Sequence, residues 1–275
     1  MQVNLFIIGV NKAGSSWLHY LLDNHPDIYM SKIKEHNYFG NTYPKNIEKY
    51  HQFFPFNKPY SYFGESTPTY YYSEDIAKEL LSYSPNAKII AIVRDPIKRL
   101  VSHYNFRKQL GVISEKATIE NAISSLDPHL VSDSHYERTL PAYQKIFGPN
   151  QFKIVSLEEG ITHTKEFWMN LLQFLDLASH PLPHQQNRTE NATGSKTFRI
   201  FYSSTIMPIK RKAPWLYRLL LKNPYVHKAK NQLLNTLGTA EKEELNHDLL
   251  KLLKKEFAPT YEYLGKLGFD ATYNR

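Results

Sequence analysis

Leu5-Phe6-Ile7-Ile8-Gly9-Val10-Asn11-Lys12-Ala13-Gly14-Ser15-Ser16-Trp17 joins an apolar run to a Gly/Lys/Ser turn, and a helical pattern follows at once. A strand–turn–helix of this kind leaves backbone N–H groups free at a helix N-terminus, where an anion can sit. Against the phosphate-loop pattern G-x-x-x-x-G-K-[ST], the spacing fits at Gly9, Gly14 and Ser16. The lysine position of that pattern is Ser15 here, and a lysine stands earlier, at Lys12. The stretch reads as a phosphate cradle, but not one built in the usual way for a triphosphate and Mg²⁺.

Working outward, Val3–Val10 is a continuous apolar run, the mark of a strand buried on both faces. Ser15–Asn24 follows as a helix with Trp17, Leu18, Leu21 and Leu22 on one face, stopped by His25-Pro26. Ile28–Met30 and Tyr62–Glu65 are short strands, and Asn41–Pro59 between them reads as irregular and aromatic-rich. Ser73 caps a helix over Glu74–Tyr83. Lys88–Val93 is the clearest buried strand after the first, and Arg94-Asp95-Pro96 opens a helix to about Gln109. Thr118–Leu126 and Thr139–Phe147 read as helices, Phe152–Leu157 as a strand and Lys165–Leu175 as a helix. Thr239–Phe257 and Thr260–Leu267 close the chain as helices.

The fold expected is α/β, a P-loop-like parallel β-sheet flanked by helices on both faces. One domain over residues 1–275 is expected, with a mobile segment over residues 178–200 and a helical part over residues 205–275. Ligands of such sheets bind at the carboxyl ends of the strands. The two best strand–turn–helix junctions, Gly9–Ser16 and Val93–Ser102, should therefore share one edge.

Composition narrows the chemistry. The chain has no cysteine, which excludes disulfides and thiolate metal sites and permits a reducing compartment. Its twelve histidines fall in no H-E-x-x-H spacing, so no metal site is expected. No apolar run approaches the ~20 residues of a membrane helix, and the N-terminus runs straight into a strand-like segment, so no secretory leader is expected. A net charge of +8 favours an anionic ligand. The basic residues are spread along the chain, and Lys210-Arg211-Lys212 reads as a solvated face, so no nucleic-acid partner is expected. Trp215–Lys222 reads either as a basic amphipathic helix on a membrane or lipid-like acceptor, or as a packed helix with exposed lysines.

The second junction supplies more positive charge. Arg94 follows a strand directly, Ser102 lies eight residues on, and Lys98 and Arg99 stand between them. Taken alone, Arg94 reads as a salt bridge to Asp95 or Glu65. Beside the first junction, the pair suits a second anion on the same ligand. ATP has one phosphate chain, whereas a 3′,5′-bisphosphorylated nucleotide has two anionic ends.

Four motifs then occur in order. Asn11-Lys12-Ala13-Gly14-Ser15-Ser16-Trp17 resembles the P-K-[ST]-G-[ST]-[ST]-W loop of sulfotransferases that use 3′-phosphoadenosine 5′-phosphosulfate (PAPS). Arg94-Asp95-Pro96-x-x-Arg99-x-x-Ser102-x-Tyr104 resembles their 3′-phosphate motif. Lys34-Glu35-x-x-Tyr38-Phe39 and Glu65-Ser66-Thr67-Pro68-x-Tyr70 are similar to the K-E-x-x-[FY]-F and E-K-[ST]-P-x-Y elements of the glycan-modifying, heparan-type branch. The ordered set covers about the first hundred residues and implies the sulfotransferase fold.

The resemblance implies roles position by position. Lys12 matches the lysine at the sulfonate's bridging oxygen. Ala13, Gly14, Ser15, Ser16 and Trp17 match the 5′-phosphate cradle, and Arg94 and Ser102 match the 3′-phosphate clamp. Glu35 matches the general base, with His36 as a competing base because histidine titrates near neutrality unaided. Otherwise Glu35 is an ion-pair partner of Lys32 or Lys34, and Lys12 a solvated loop lysine. Gly194-Ser195-Lys196 and Arg199, within Gln185–Arg199, match the loop that closes over the nucleotide.

Asn11 stands where the family has proline, and Ser66 where the branch often has lysine. With no cysteine for the animal enzymes' disulfide, a bacterial, cytoplasmic form is implied. Transfer would need no metal, since a lysine and helix-end amides can neutralise a departing phosphate. The acceptor implied is a hydroxyl or amine on a carbohydrate, a glycolipid or another small molecule. Tyr38–Tyr72 is crowded with aromatic rings, readable as an acceptor cleft or as core. The alternatives are a small-molecule or nucleotide kinase on the same scaffold and a non-catalytic polyanion binder. Ser15 and Arg94 at the phosphate-loop lysine and acidic strand-end positions speak against the kinase.

Overall fold

A computed structural model describes residues 1–40, 45–183, 200, 202–208, 213 and 245–270. Five strands, β1 (Leu5–Gly9), β2 (Ile28–Met30), β3 (Tyr62–Ser66), β4 (Lys88–Val93) and β5 (Phe152–Ser156), form one sheet in the order β2-β3-β1-β4-β5. Every pairing is parallel, with Phe6 opposite Glu65 on one side of β1 and Ile89 on the other. β1 and β4, the two strands with the longest apolar runs, are central neighbours. Their carboxyl ends therefore lie side by side, which places both junctions on one edge.

Side chains of a strand alternate between faces, and two separate cores follow from that period. Phe6, Ile8, Ile89 and Ala91 belong to a core with Leu80 and Tyr143, from the helices Glu74–Tyr83 and Leu140–Phe147. Leu5, Ile7, Ile90 and Ile92 belong to a second core with Leu18, Leu21 and Leu171, from α1 (Ser15–Asp23) and the helix Thr164–Phe174. Helices thus cover both faces, as expected.

Local differences have local causes. In the stretch expected to be irregular, a short helix Ile47–His51 forms because the Asn46 side chain accepts from Lys49 N. β5 stops at Ser156, whose hydroxyl accepts from Glu159 N and starts a helix Leu157–Thr162. Thr118–Leu126 is one helical turn, Ile119–Asn121, followed by wider π-type turns over Ala122–Leu126.

By contact the chain divides into two compact units. Met1–Arg99, Asp133–Gln185 and Phe257–Arg275 form the first and carry the sheet. Leu100–Ser132 and Gln186–Glu256 form the second. The division falls inside the helix Pro96–Gln109. Within the second unit, Arg107 is paired with Asp127 at 2.5 Å and Asn246 bonds Glu120 at 2.9 Å. Among the described residues, no helix is long and apolar enough to cross a membrane.

Candidate active site

The turn after β1 is held by backbone bonds. Val10 N donates to Ile92 O at 2.7 Å, and Ala13 N returns to Val10 O at 3.1 Å. Gly14 then caps α1 with φ 102°. It has no side chain to offer the helix, so the amides of Ser15, Ser16 and Trp17 precede the first helical bond, Leu18 N to Gly14 O. A Cβ on Gly14 would come within 2.7 Å of Leu157 Cδ1. The geometry is an open helix N-terminus that demands glycine at its edge. Ser15 is buried, and Trp17 packs on Phe167 at 5.3 Å.

Lys12 enters this turn in the left-handed region, φ 66°. Its ammonium is desolvated and faces Arg94, and these two effects pull its pKa down to about 8 against the opposing charge of Glu35. Lys34 reaches the same place from the segment after β2, donating from Nζ to Ser16 Oγ. Desolvation lowers its pKa to about 8 as well, with Glu35 again opposing.

Glu35 is exposed, with φ 61°. Its amide donates to Ser66 O at 3.0 Å, at the carboxyl end of β3, and Asn37 Nδ2 donates to its carbonyl at 2.7 Å. Lys12, Glu35 and Asn37 are three of the four described non-glycine residues with positive φ. Such strain persists where surrounding structure over-determines it, and it gathers at working sites. His36 points elsewhere: its Nε2 meets Ser31 Oγ at 2.7 Å, and its ring packs against Tyr50, Phe53 and Phe54. Burial pushes its pKa down to about 4, so it is neutral at pH 7.

Sequence reasoning missed the anchor beneath this segment. Glu65 is fully buried and accepts from Tyr50 Oη at 2.8 Å, from Thr67 Oγ1 at 3.3 Å and from the Tyr70 hydroxyl. Tyr70 Oη in turn accepts from the amides of Tyr38 at 2.9 Å and Phe39 at 3.3 Å. The chain just after Glu35 is thereby fixed to the sheet. Desolvation outweighs the three donors and raises the Glu65 carboxyl to about 7. The Glu65–Tyr70 spacing was visible as a motif, but residue types alone could not reveal what Tyr70 holds. Beside Glu65, Ser66 Oγ is buried without a partner among the described residues.

At the second junction the salt-bridge reading of Arg94 gives way to other partners. Asp95 accepts from Lys98 N at 2.7 Å and from Tyr261 Oη at 3.0 Å, so it caps a helix, while Glu65 belongs to the tyrosines. The Arg94 guanidinium instead donates to Lys12 O at 3.4 Å and lies in the field of Glu158. Its desolvation lowers its pKa. Arg99 is fully buried, bonded to Ser134 Oγ at 2.5 Å and ion-paired with Asp133 at 3.8 Å. It is a structural residue whose charge still reaches Lys12. Ser102 is half-buried in the second unit, and Lys196 and Arg199 lie outside the described residues. Among the described residues no cluster of His, Asp or Glu could hold a metal ion.

Lys12, Lys34 and Arg94 thus bring three cations to one open helix N-terminus, with an exposed carboxylate whose field both lysines feel. The family described as "Sulfotransferase domain" matches residues 2–202. The chain belongs to the sulfotransferase family. The membrane-associated sulfotransferase kil1 of Dictyostelium discoideum is 36% identical over 112 residues, 38% of this chain and 23% of that protein. The heparan sulfate glucosamine 3-O-sulfotransferase 5 of Mus musculus is 29% identical over 198 residues, 68% of this chain and 56% of that protein. These matches span less than two thirds of either relative's own length. A sulfotransferase structure from Alicyclobacillus acidocaldarius shares the fold, with a TM-score of 0.60 at 19% identity over 79% of this chain and 96% of that one.

Proposed function

We propose that this protein transfers the sulfuryl group of PAPS to a hydroxyl or amine of an acceptor, by in-line displacement and without a metal. The observation that carries the reading is the convergence of Lys12, Lys34 and Arg94 on the uncapped amides of α1 beside Glu35. A phosphosulfate fits that place: it is anionic, it needs a close glycine approach, and the Lys12 and Lys34 charges around the cradle lack solvent to screen them.

PAPS supplies the sulfuryl group and a phosphate as leaving group. Glu35 takes the proton of the acceptor as the acceptor's oxygen or nitrogen bonds to sulfur. The sulfur–oxygen bond to the phosphate breaks, and its electron pair leaves with the phosphate. Lys12 and the amides of Gly14 to Trp17 hold the charge that develops there. By the sequence resemblance, Arg94 and Ser102 take the 3′-phosphate.

The acceptor we propose is a carbohydrate or glycolipid. A relative named for heparan sulfate glucosamine supports this. Calorimetry tests the reading. Adenosine 3′,5′-bisphosphate should bind tightly without Mg²⁺, and labelled PAPS with a panel of glycans, lipids and phenols should identify the acceptor. ATP binding that requires Mg²⁺ would replace this reading with the kinase. Binding only to polymers, strongly weakened by salt, would replace it with the polyanion binder.

A further inference from the structure

Lys34 has a contact that the reaction as written does not use. Its ammonium donates to Ser16 Oγ, and Ser16 is the second residue of α1, among the amides of the open helix N-terminus. An ammonium carries donors only, whereas a hydroxyl has one proton and two lone pairs. A helical serine ordinarily turns its proton back to a carbonyl of the preceding turn. A Lys34 N–H on a lone pair of Ser16 Oγ leaves that proton to be given outward.

We infer that Lys34 is a positioning residue of the donor site: bonded to Ser16 Oγ, it directs the Ser16 hydroxyl proton toward the 5′-phosphate and links the anion cradle to the segment that carries Glu35. The inference rests on the function proposed above. It explains why a lysine precedes the exposed carboxylate. One short segment, pinned by Glu35 N to Ser66 O, carries a cation to the Ser16 hydroxyl and a base to the acceptor.

The charged and titratable groups facing Lys34 are Glu35 on its own segment, Lys12 on the phosphate turn and His19 on α1. His19 is held down to about 3 by burial first and the Lys34 charge second, so it is neutral. Two desolvated lysines with pKa near 8 repel one another until an anion arrives. Nucleotide binding above pH 8 must therefore take up protons, and part of that uptake belongs to Lys34.

The test is titration with adenosine 3′,5′-bisphosphate from pH 6.5 to 9.5, with PAPS turnover alongside, on the wild type, Lys34→Gln, Lys34→Arg, Ser16→Ala and the Lys34→Gln/Ser16→Ala pair. Removing a charge-assisted bond should raise both Kd and the KM for PAPS about tenfold or more. In the Ser16→Ala background, Lys34→Gln should add much less, because Lys34 acts through that hydroxyl. Lys34→Arg should keep affinity at pH 9.5 better than the wild type, since a guanidinium stays charged. Unchanged Kd and unchanged proton uptake in Lys34→Gln, or full additivity with Ser16→Ala, overturns the inference while leaving the proposed function standing. If Lys34→Gln does not fold, a Lys34→Arg protein with the wild-type alkaline limb overturns it instead. A wild type that does not bind the nucleotide overturns the function, and this inference with it.

Discussion

The buried carboxyl of Glu65 makes the stability of this fold depend on pH in a direction opposite to the usual carboxylate. Its folded pKa is raised to about 7 from 4.5 because desolvation outweighs the hydroxyls of Tyr50, Tyr70 and Thr67. The folded state therefore holds a proton that the unfolded chain has released. Stability from this group is complete below pH 4.5 and is lost as the pH rises to 7. Integrating between pH 5 and 8, with 1.36 kcal/mol per unit, gives a loss of about 2.5 kcal/mol. Glu65→Gln replaces the titrating group by a neutral one of the same shape. Urea unfolding of both proteins at pH 5, 6, 7 and 8, read by tryptophan fluorescence, isolates the contribution as a difference. The shared titrations of His19 and His36, whose lowered pKa values act in the other direction below pH 6.5, cancel. The variant should gain about 2–3 kcal/mol on the wild type between pH 5 and 8. A difference that does not change with pH would mean that Glu65 is an ordinary ionised carboxylate, and that Tyr70 is anchored by a fixed charge.

Three substitutions probe the site directly. Lys12→Ala should fold and lose turnover by about 10²–10³, the cost of one preorganised donor at a developing charge; unchanged turnover excludes Lys12 from the leaving group. Glu35→Gln should keep nucleotide affinity in calorimetry and lose about 10²–10⁴ in kcat; retained kcat would move the base to the substrate. Gly14→Ala forces a side chain into φ 102° and against Leu157, so melting should report a loss of about 1–3 kcal/mol together with weakened nucleotide binding. An unshifted melting curve with intact binding would show that the turn does not need glycine.

Much of the scaffold was legible because it rests on local pattern. β1 and β4 announce themselves by apolar runs that need cover on both faces, and Ser73 caps its helix as its type and place suggest. The strand order was not legible, because β1 meets β3 and β4 across long stretches of chain and nothing in any one strand names its neighbour. Arg94 and Arg99 make the limit sharper still. They lie five residues apart in one motif, and the sequence offers both as cations for a phosphate. Asp133 and Ser134, remote in sequence, bury and bind Arg99, whereas Arg94 reaches Lys12 O in the turn after β1.

His36 and Glu35 divide for the same reason. Imidazole suits base chemistry in water, but burial among the rings of Tyr50, Phe53 and Phe54 makes this one a weak base, with a pKa of about 4, and its Nε2 is turned to Ser31. The carboxylate beside it stays exposed because Ser66 and the Tyr70 anchor hold the backbone on either side of it. Residue type proposes a role, and the partners that arrive from distant chain decide it. A substitution at Tyr70 should therefore disturb Glu35 chemistry more than one at His36, although His36 is its neighbour in sequence.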